Sequence, residues 1–552
     1  MPRGYFENSL KLTRSILRRD RLNIIIWIVA LAAFSMILAP GMHSMFPDEA
    51  ARLTVAQVYD NPVMVSMMGP VYGMDAALGF STGAMYSGFM MLWVIIAVAL
   101  MNIFFVVRHT RADEEKGRAE VVRSLPVGRL ANLNAVMISS VVINAILALF
   151  TGVGLALTGV EGMGWGGSIL YGVVMGASGL FFAAITALFC QLSAGSSGAS
   201  AYAGFTLGAL YMVRALGDAQ GNNLIACLSP LGLAQRSQIY VHNYIWPTVS
   251  LLVLVAGISA IAYHLNTIRD LGQGFIAAKP GRSNAPRGLQ SPFGLSWRLL
   301  RSALISWTIG LFVMGASYGS ILGDLPKFIG DSPEYLQLIG IPGFVLAMMT
   351  EADKAGIIVT YFGSFITIMM TLAGTVPLLR AALRPRAEER ESRAEHIIAR
   401  VVPRWKYLCG FITLAYAASV ALQLAMACGL YMATESAMDV NPFVFTELLK
   451  AYFSFLPAMW VMIGLAAFVC GLFPKATGVI WGYFGFVVFT SFIGRTLSLP
   501  QWLYRLSPMF HVPLLPVEEF AMLPLVGLTA FALALTAAGM IGYQKRDTLT
   551  GI

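Results

Sequence analysis

RHTRADEEKGRAEVVRSLPVGR, residues 108–129, is a charged island between two long apolar runs. Residues 386–404, RAEERESRAEHIIARVVPR, repeat it at a constant offset of 275. At this offset the positions that agree in identity or charge are Arg111 with Arg386, Ala112 with Ala387, Asp113 with Glu388, Glu114 with Glu389, Arg118 with Arg393, Ala119 with Ala394, Glu120 with Glu395 and Arg129 with Arg404. We call the two stretches the first and the second cassette. Their repetition predicts a duplicated protein with two equivalent surfaces.

The composition excludes a mainly soluble protein. Of 552 residues, 57% are hydrophobic and only 12% are charged, about half the charged share of a soluble domain. The mean hydropathy is +0.71. The formal charge of +9 is expected from the Lys and Arg of cytoplasmic loops, so it does not predict a nucleic-acid partner.

Long apolar runs predict an all-α polytopic membrane protein, since a bilayer span needs about 20 mostly apolar residues. About twelve spans are predicted, at residues 22–40, 83–107, 131–158, 167–192, 197–216, 247–265, 303–322, 355–380, 405–433, 450–473, 476–495 and 519–543. Lys and Arg crowd alternate connections, including both cassettes, which predicts that both cassettes and both termini are cytoplasmic.

The duplication extends beyond the cassettes and predicts two pseudo-symmetric six-span halves. Ser229-Pro230 before the sixth span recurs as Ser507-Pro508 before the twelfth, and Arg269-Asp270 after the sixth recurs as Arg546-Asp547. The predicted domains are residues 1–271, a linker at 272–297 rich in Pro, Gly and basic residues, and residues 298–552. The first half opens with a basic amphipathic helix of the kind that lies at a membrane surface, with basic residues at Lys11, Arg14, Arg18 and Arg21.

Few residues offer chemistry of their own. There is no GxxxxGK[ST] phosphate loop, so hydrolysis of ATP by this chain is not predicted, and no catalytic residue is assigned. The five cysteines lack any metal-ligand or CxxC spacing, so no metal site is assigned. The spans hold almost no acidic residue or histidine, which removes the usual basis of ion-driven transport. Arg214, Lys450 and Arg495 are expected at span ends, where their charges reach the interface.

The cassettes themselves predict docking surfaces, because charge complementarity fixes the register of a helix in a protein groove. In the second cassette, Ala387, Ala394, Ile398 and Val401 form an apolar stripe at helical spacing. The first cassette, with Asp60-Asn61-Pro62, Arg214-Ala215-Leu216-Gly217-Asp218 and Ser229-Pro230-Leu231-Gly232, resembles the permeases of type-2 ABC exporters, in the duplicated branch of polyketide-antibiotic exporters. Ser392 in place of the cassette's Gly117 departs from that pattern.

The resemblance implies a permease of the bacterial cytoplasmic membrane that exports hydrophobic or amphipathic small molecules, such as drugs or antibiotics. It also implies two copies of a separate ABC ATPase, which bind ATP and Mg in place of any cofactor on this chain. The residues predicted to receive the ATPase are Arg111, Asp113, Glu114, Glu115, Arg118, Glu120, Arg123, Arg386, Glu388, Glu389, Arg393 and Glu395.

By the same resemblance, spans two, five, eight and eleven line the substrate cavity. The candidate substrate residues in them are Met90, Met91, Phe205, Tyr211, Met369, Met370, Phe484 and Phe489, since Met and aromatic side chains adapt to varied apolar ligands. Two alternatives remain open at the level of sequence: a twelve-span secondary drug antiporter, and a membrane protein that relays a signal without transport.

Overall fold

The computed structural model describes residues 4–59, 62–74, 79–270, 272–276, 284, 286–289, 291–322, 351–399, 403–438, 443–492, 500–515 and 517–546. Within these ranges the chain is helical, and its β pairing is one isolated bridge between Ser193 and Ile276. Residues 323–350 and Arg495, for which the sequence predicts positions outside or at the edge of the membrane, lie outside the described residues.

The chain divides into two compact units, residues 1–280 and 281–552. The division falls inside the predicted linker, 272–297. Two backbone bonds join the start of that linker to the first unit, from Phe275 N to Gln191 O and from Ile276 N to Leu192 O. The second unit's first long helix already begins at Pro292. A linker role for the intervening residues stays a prediction.

The first unit contains thirteen helices within the described ranges. They are α1 (Ser9–Arg19), α2 (Arg21–Met45), α3 (Glu49–Tyr59), α4 (Pro62–Met68), α5 (Thr82–His109), α6 (Arg111–Glu115), α7 (Arg118–Arg123), α8 (Ala131–Leu157), α9 (Trp165–Leu192), α10 (Ser196–Ala219), α11 (Asn223–Cys227), α12 (Pro230–Gln235) and α13 (Trp246–Ile268). Helix α9 lies at the centre of this unit, packed against α5, α8, α10 and α13.

In the second unit the described helices are α14 (Pro292–Ile321), α15 (Glu351–Arg390), α16 (Glu395–Ile398), α17 (Arg404–Ala437), α18 (Phe445–Ser454), α19 (Leu456–Leu472), α20 (Gly478–Phe492), α21 (Gln501–Arg505) and α22 (Met522–Lys545). Short 3-10 turns occupy Arg287–Leu289, Pro474–Ala476 and Pro508–His511. The most extensive packing joins α14 to α17 and α19 to α22.

Ten helical segments of the described chain are long and apolar enough to cross a bilayer, and each coincides with a predicted span. They are α2, α5, α8, α9, α13, α14, α15, α17, α18 with α19, and α22. The fifth predicted span is the 24-residue helix α10 and the eleventh is the 15-residue helix α20, neither of which is among those ten. The predicted class, an all-α polytopic membrane protein, is confirmed.

Small residues bring α8 and α9 into backbone contact. A Cβ atom added to Gly172 would lie 2.1 Å from Ala148 O, and one added to Gly179 would lie 2.1 Å from Asn144 Oδ1. Glycine therefore permits a close approach that lets a polar pair form between neighbouring spans. Asn102 of α5 and Asn144 of α8 exchange side-chain hydrogen bonds of 3.1 and 2.8 Å, and both are 1% exposed.

Asn102→Ala is expected to destabilise the first unit by about 1 kcal/mol, because it leaves the buried Asn144 Oδ1 without the hydrogen bond that it accepts from Asn102. Adding Asn144→Ala should cost little more, since the unpaired oxygen is then gone. Thermal unfolding of the purified wild type, both single variants and the double variant measures the coupling. Strictly additive effects would contradict a shared bond.

Candidate docking surfaces at the two cassettes

The first cassette is built from two short helices rather than one. Helix α5 ends at His109, α6 covers Arg111–Glu115 and α7 covers Arg118–Arg123. Gly117 separates α6 from α7 with a left-handed backbone (φ 69°), a conformation that costs glycine little. In the second cassette α15 continues to Arg390, and Ser392 makes the same left-handed turn (φ 55°). The turn is therefore kept although the glycine is not.

A buried ion-pair network, which we call the first lock, joins the first cassette to the end of α13. It consists of three buried, ion-paired side chains, Arg111, Glu114 and Arg269, together with Arg129, which is exposed. The Glu114 carboxylate accepts hydrogen bonds from Arg111 Nη1 at 2.6 Å and from Arg269 Nη2 at 2.5 Å. Arg129 Nη2 donates to Arg269 O at 3.2 Å. The side chains of Arg111, Glu114 and Arg269 are 1%, 9% and 4% exposed, so one carboxylate holds two buried guanidinium groups.

Arg111 also ties down two segments of backbone. Its Nη2 donates to Ala194 O at 2.5 Å and to Gly272 O at 2.7 Å, and its Nη1 donates to Gln273 O at 3.2 Å. Ala194 lies between α9 and α10, and Gly272 follows α13. The first lock therefore fastens the cassette to the ends of α9, α10 and α13.

The second unit contains the same arrangement, which we call the second lock, formed by Arg386, Glu389, Arg404 and Arg546. Arg386 Nη1 lies 3.2 Å from Glu389 Oε2, and Arg546 Nη2 donates to both Glu389 oxygens, with 2.6 Å to Oε2. Arg404 Nη1 donates to Arg546 O at 2.5 Å, and Arg386 Nε donates to Pro474 O at 3.1 Å. The two locks match member by member at sequence offsets of 275 to 277.

The locks account for four of the predicted docking residues, namely Arg111, Glu114, Arg386 and Glu389. The structure turns these side chains inward, and each is at most 15% exposed. Their charges are paired within the unit, because a buried charge needs a partner close at hand. These four residues position the cassettes from within.

Three further predicted docking residues make local bonds at the edge of the cassettes. Asp113 accepts from Arg19 at 2.7 Å and from Arg118 at 3.1 Å. Glu115 accepts from Ser196 N at 2.6 Å and thereby caps the start of α10. Glu388 accepts from Arg393 Nε at 2.6 Å and also pairs with Arg384.

The remaining predicted docking residues form an exposed edge on each cassette. The first rim consists of Arg118, Glu120 and Arg123, and the second rim of Glu391, Arg393 and Glu395; all six are exposed. Glu391 was not predicted, and it belongs here because its side chain is 53% exposed beside Arg393. Ala119 and Ala394 are turned in, at 8% and 1% exposed. Of the other residues of the predicted apolar stripe, Ile398 is half-buried, Ala387 is exposed, and Val401 lies outside the described residues. Each cassette thus presents charge outward over a buried lock.

Helix α1 is bonded to the first cassette. Arg19 Nη2 donates to Asp113 Oδ2 at 2.7 Å and to His109 Nδ1 at 2.5 Å. A neutral His109 ring must then carry its proton on Nε2, which lies 2.7 Å from Asp20 Oδ2. The predicted amphipathic helix forms, with Thr13 buried against α8. Its exposed residues include Lys11, Arg14 and Arg18, and Arg21 is exposed at the start of α2.

A second buried charge cluster lies at the other end of α10. Asp218 accepts from Arg214 Nη1 at 3.0 Å and from Arg236 Nη2 at 2.7 Å. Arg214 is 0% exposed, and its Nη2 also donates to Ser66 O at 2.6 Å. The expectation that the Arg214 charge reaches the interface is therefore wrong: α4 packs against α10 and encloses the guanidinium. The signal in the sequence was the i, i+4 spacing of Arg214 and Asp218.

The predicted substrate residues occupy different environments. Met91 and Met370 are buried, at 3% and 0% exposed, and Tyr452 OH donates to Met370 Sδ. Tyr211 OH donates to Met67 O at 2.9 Å. Phe205 and Phe489 are 78% and 39% exposed. Met90, Met369 and Phe484 are half-buried. A contact of any of them with substrate stays a prediction.

No group of His, Cys, Asp and Glu suited to a metal ion occurs in the part of the chain that the structure describes.

What the fold and the repeated cassettes define is a duplicated, multi-pass membrane protein of the permease class. The model of a family described as "Multidrug efflux system permease Rv1217c, C-terminal domain" matches residues 289–544. The chain is also 32% identical over 547 residues to the "Multidrug efflux system permease protein Rv1217c" of Mycobacterium tuberculosis (strain ATCC 25618 / H37Rv), which covers 98% of this chain and 95% of that protein. The chain belongs to this family of multidrug efflux permeases.

Proposed function

We propose that this efflux permease is the membrane subunit of an ATP-binding-cassette exporter for hydrophobic or amphipathic compounds, including drugs or antibiotics. Two copies of a separate ABC ATPase bind one at each cassette and supply ATP hydrolysis, with ATP and Mg held on those subunits. The permease itself is not an enzyme. It lies in the bacterial cytoplasmic membrane with both termini and both cassettes on the cytoplasmic side.

The observation that carries this proposal is that both cassettes combine an exposed charged rim with a buried lock. A rim of mixed sign, such as Arg118, Glu120 and Arg123, suits a protein partner because complementary charges fix the register of an interface. Duplication of the arrangement in both units supports a partner that also comes in two copies. A solvated loop of no function would not need the same four lock residues twice.

The locks supply a path for force from the ATPase to the membrane helices. The first lock joins the first cassette to Ala194 before α10 and to Arg269 after α13, and Glu115 caps α10 directly. Movement of the first rim therefore displaces the cytoplasmic ends of several spans together. Paired buried charges resist separation, since parting them leaves unpaired ions in a dry site.

The proposal is tested by reversing charge at the rims, in the variant E120K with E395K. We expect co-purification with the partner ATPase to fall on the order of tenfold, because like charges then face that partner. Transport should fall with it, while folding is unchanged because both residues are exposed. Glu447→Lys is the matched control, since Glu447 is 51% exposed on α18 and belongs to neither cassette.

Full complex and full export in the double variant would contradict docking at the rims. Export that persists when the ATPase cannot hydrolyse ATP, but stops when the proton gradient is removed, would instead identify a secondary antiporter. Absence of export by any measure would leave the relay of a signal as the surviving alternative.

A further inference from the structure

The second unit contains a cavity of about 420 Å³, which we call the outer cavity. It is lined by Ile368 of α15, by Thr490 and Ser491 at the end of α20, and by Gln501, Tyr504, Ser507, Met509, Phe510, Val512, Leu514 and Glu518. Helix α20 begins at Gly478, close to Pro474, whose carbonyl bonds the second lock. Twelve residues of helix rise about 18 Å from that point to Thr490. The outer cavity therefore lies at the end of the unit opposite the second cassette.

The walls of the outer cavity combine an apolar floor with an aromatic pair. Met509 and Ile368 contribute to the floor. The rings of Tyr504 and Phe510 stack with centroids 5.7 Å apart and planes at 27°. Phe510 is 51% exposed, so its ring is accessible to a bound molecule. The volume lies in the range of about 300–1,000 Å³ in which pockets hold drug-sized ligands.

Glu518 adds a negative charge to this cavity. Its Oε2 accepts a hydrogen bond from Leu514 N at 2.9 Å, which fixes the side chain. Among the ion pairs of the described residues, none involves Glu518. The buried hydroxyl of Ser507 also lines the outer cavity and has no hydrogen-bond partner among the described residues. Glu518 is itself exposed, so its carboxylate is open to a cation that enters the cavity.

The corresponding segment of the first unit is closed. Ser229, which corresponds to Ser507 by the Ser-Pro repeat, accepts a hydrogen bond from Leu231 N at 3.2 Å and caps α12. Leu231 and Leu233 are 0% and 6% exposed, and Gln235 Nε2 donates to Met68 O at 2.5 Å. The segment thus packs into the first unit, whereas its counterpart in the second unit lines a cavity. The difference argues that the outer cavity is not a by-product of the repeated fold.

We propose that the outer cavity binds an organic cation, an amphipathic compound with an aromatic body, between the Glu518 carboxylate and the Tyr504–Phe510 stack. A positive charge is attracted both by the carboxylate and by the negative faces of the rings. The apolar floor accommodates the body of the same molecule. An anion would be repelled by Glu518. The inference rests on the proposed export function and names the class of substrate that this unit would hold near its outer end.

Ethidium, a permanent aromatic cation, and N-phenyl-1-naphthylamine, a neutral aromatic, are the probes. Binding of each is measured by fluorescence on the full-length permease in lipid nanodiscs, so the result does not depend on the ATPase. Glu518→Gln is expected to weaken ethidium binding about fivefold and to leave the neutral probe unchanged. The amide keeps an oxygen for the bond from Leu514 N, so the local fold is preserved.

Glu519→Gln is the matched control, because Glu519 is the adjacent exposed carboxylate and does not line the outer cavity. Phe510→Leu should also weaken ethidium binding, and Phe510→Tyr should restore it, since a tyrosine ring keeps the attraction for a cation. Equal ethidium affinity in wild type and Glu518→Gln, or equal losses in Glu518→Gln and Glu519→Gln, would overturn the inference.

Failure of the inference is distinguishable from failure of the proposed function. If the neutral probe is exported in an ATP-dependent manner but ethidium affinity is unchanged in Glu518→Gln, only the cation site is overturned. Ethidium binding that depends on Glu518, without ATP-dependent export of either probe, would support the site and contradict the exporter.

Discussion

Glu114→Ala is expected to cost the first unit about 3–5 kcal/mol of folding stability, because it leaves buried positive charge without its counter-ion. Arg111 and Arg269 share the Glu114 carboxylate at 2.6 and 2.5 Å, and their side chains are 1% and 4% exposed. The loss should appear as a lower yield of monodisperse protein and a lower melting temperature in detergent.

Glu120→Ala is the control for that variant, since it removes a carboxylate from the same cassette at an exposed position. Its effect on stability should stay within about 0.5 kcal/mol, although docking of the ATPase should weaken. Glu389→Ala should reproduce the loss of Glu114→Ala in the second unit. If Glu114→Ala and Glu120→Ala have the same melting temperature, the first lock does not stabilise the fold.

Asp218→Ala is expected to lower the folding stability of the first unit by a similar amount, again about 3–5 kcal/mol. Asp218 is the carboxylate between Arg214 and Arg236, whose side chains are 0% and 8% exposed. Its removal leaves two positive charges facing each other in a dry site. Because Arg214 also holds the backbone of α4 through Ser66 O, we expect the end of the first unit that contains α4 to loosen first. Limited proteolysis and thermal unfolding measure this.

Glu161→Ala provides the comparison, since Glu161 is an exposed carboxylate in the turn between α8 and α9. A double variant, Asp218→Asn with Arg236→Met, should recover part of the stability, because it removes one of the two stranded charges. A melting temperature for Asp218→Ala equal to that of Glu161→Ala would show that the cluster contributes nothing to folding.

Hydropathy and the positions of basic residues were enough to locate the membrane helices, because a span is a local property of about 20 residues. The helix α5 over Thr82–His109 differs from its prediction by a few residues at each end. The short helix α20, Gly478–Phe492, lies within the apolar run 476–495, from which the sequence predicts a full span. Residues 493–499 lie outside the described chain, so the rest of that prediction stays untested.

The inward half of each cassette was not predictable from local sequence. Arg111 and Glu114 carry the same charges as the exposed Arg118 and Glu120, and all four sit in one polar stretch. What separates them is Arg269, which lies 155 residues from Glu114 along the chain. The recurrence of Arg269 as Arg546 was visible in the sequence, but only the fold shows that each meets a cassette.

The left-handed turn illustrates the opposite case. Ser392 in place of the glycine at position 117 predicts a different second cassette, yet both residues take a positive φ, of 55° and 69°. Serine bears roughly 1–2 kcal/mol of strain there that glycine does not. The second lock, through Glu389 and Arg546, holds the helix on one side of that turn. Tertiary bonds therefore impose a backbone shape that the local sequence disfavours.

The spacing within the locks sets an order of assembly during synthesis. Glu114 leaves the ribosome 155 residues ahead of Arg269, and Glu389 leaves 157 residues ahead of Arg546. At about 5–20 residues per second, each carboxylate waits roughly 8–30 s for its partner. Until then each carboxylate is paired with only one of its two arginines, Arg111 or Arg386. Neither unit is therefore able to complete its lock before α13 or α22 has been synthesised, and a nascent chain halted earlier carries an incomplete lock.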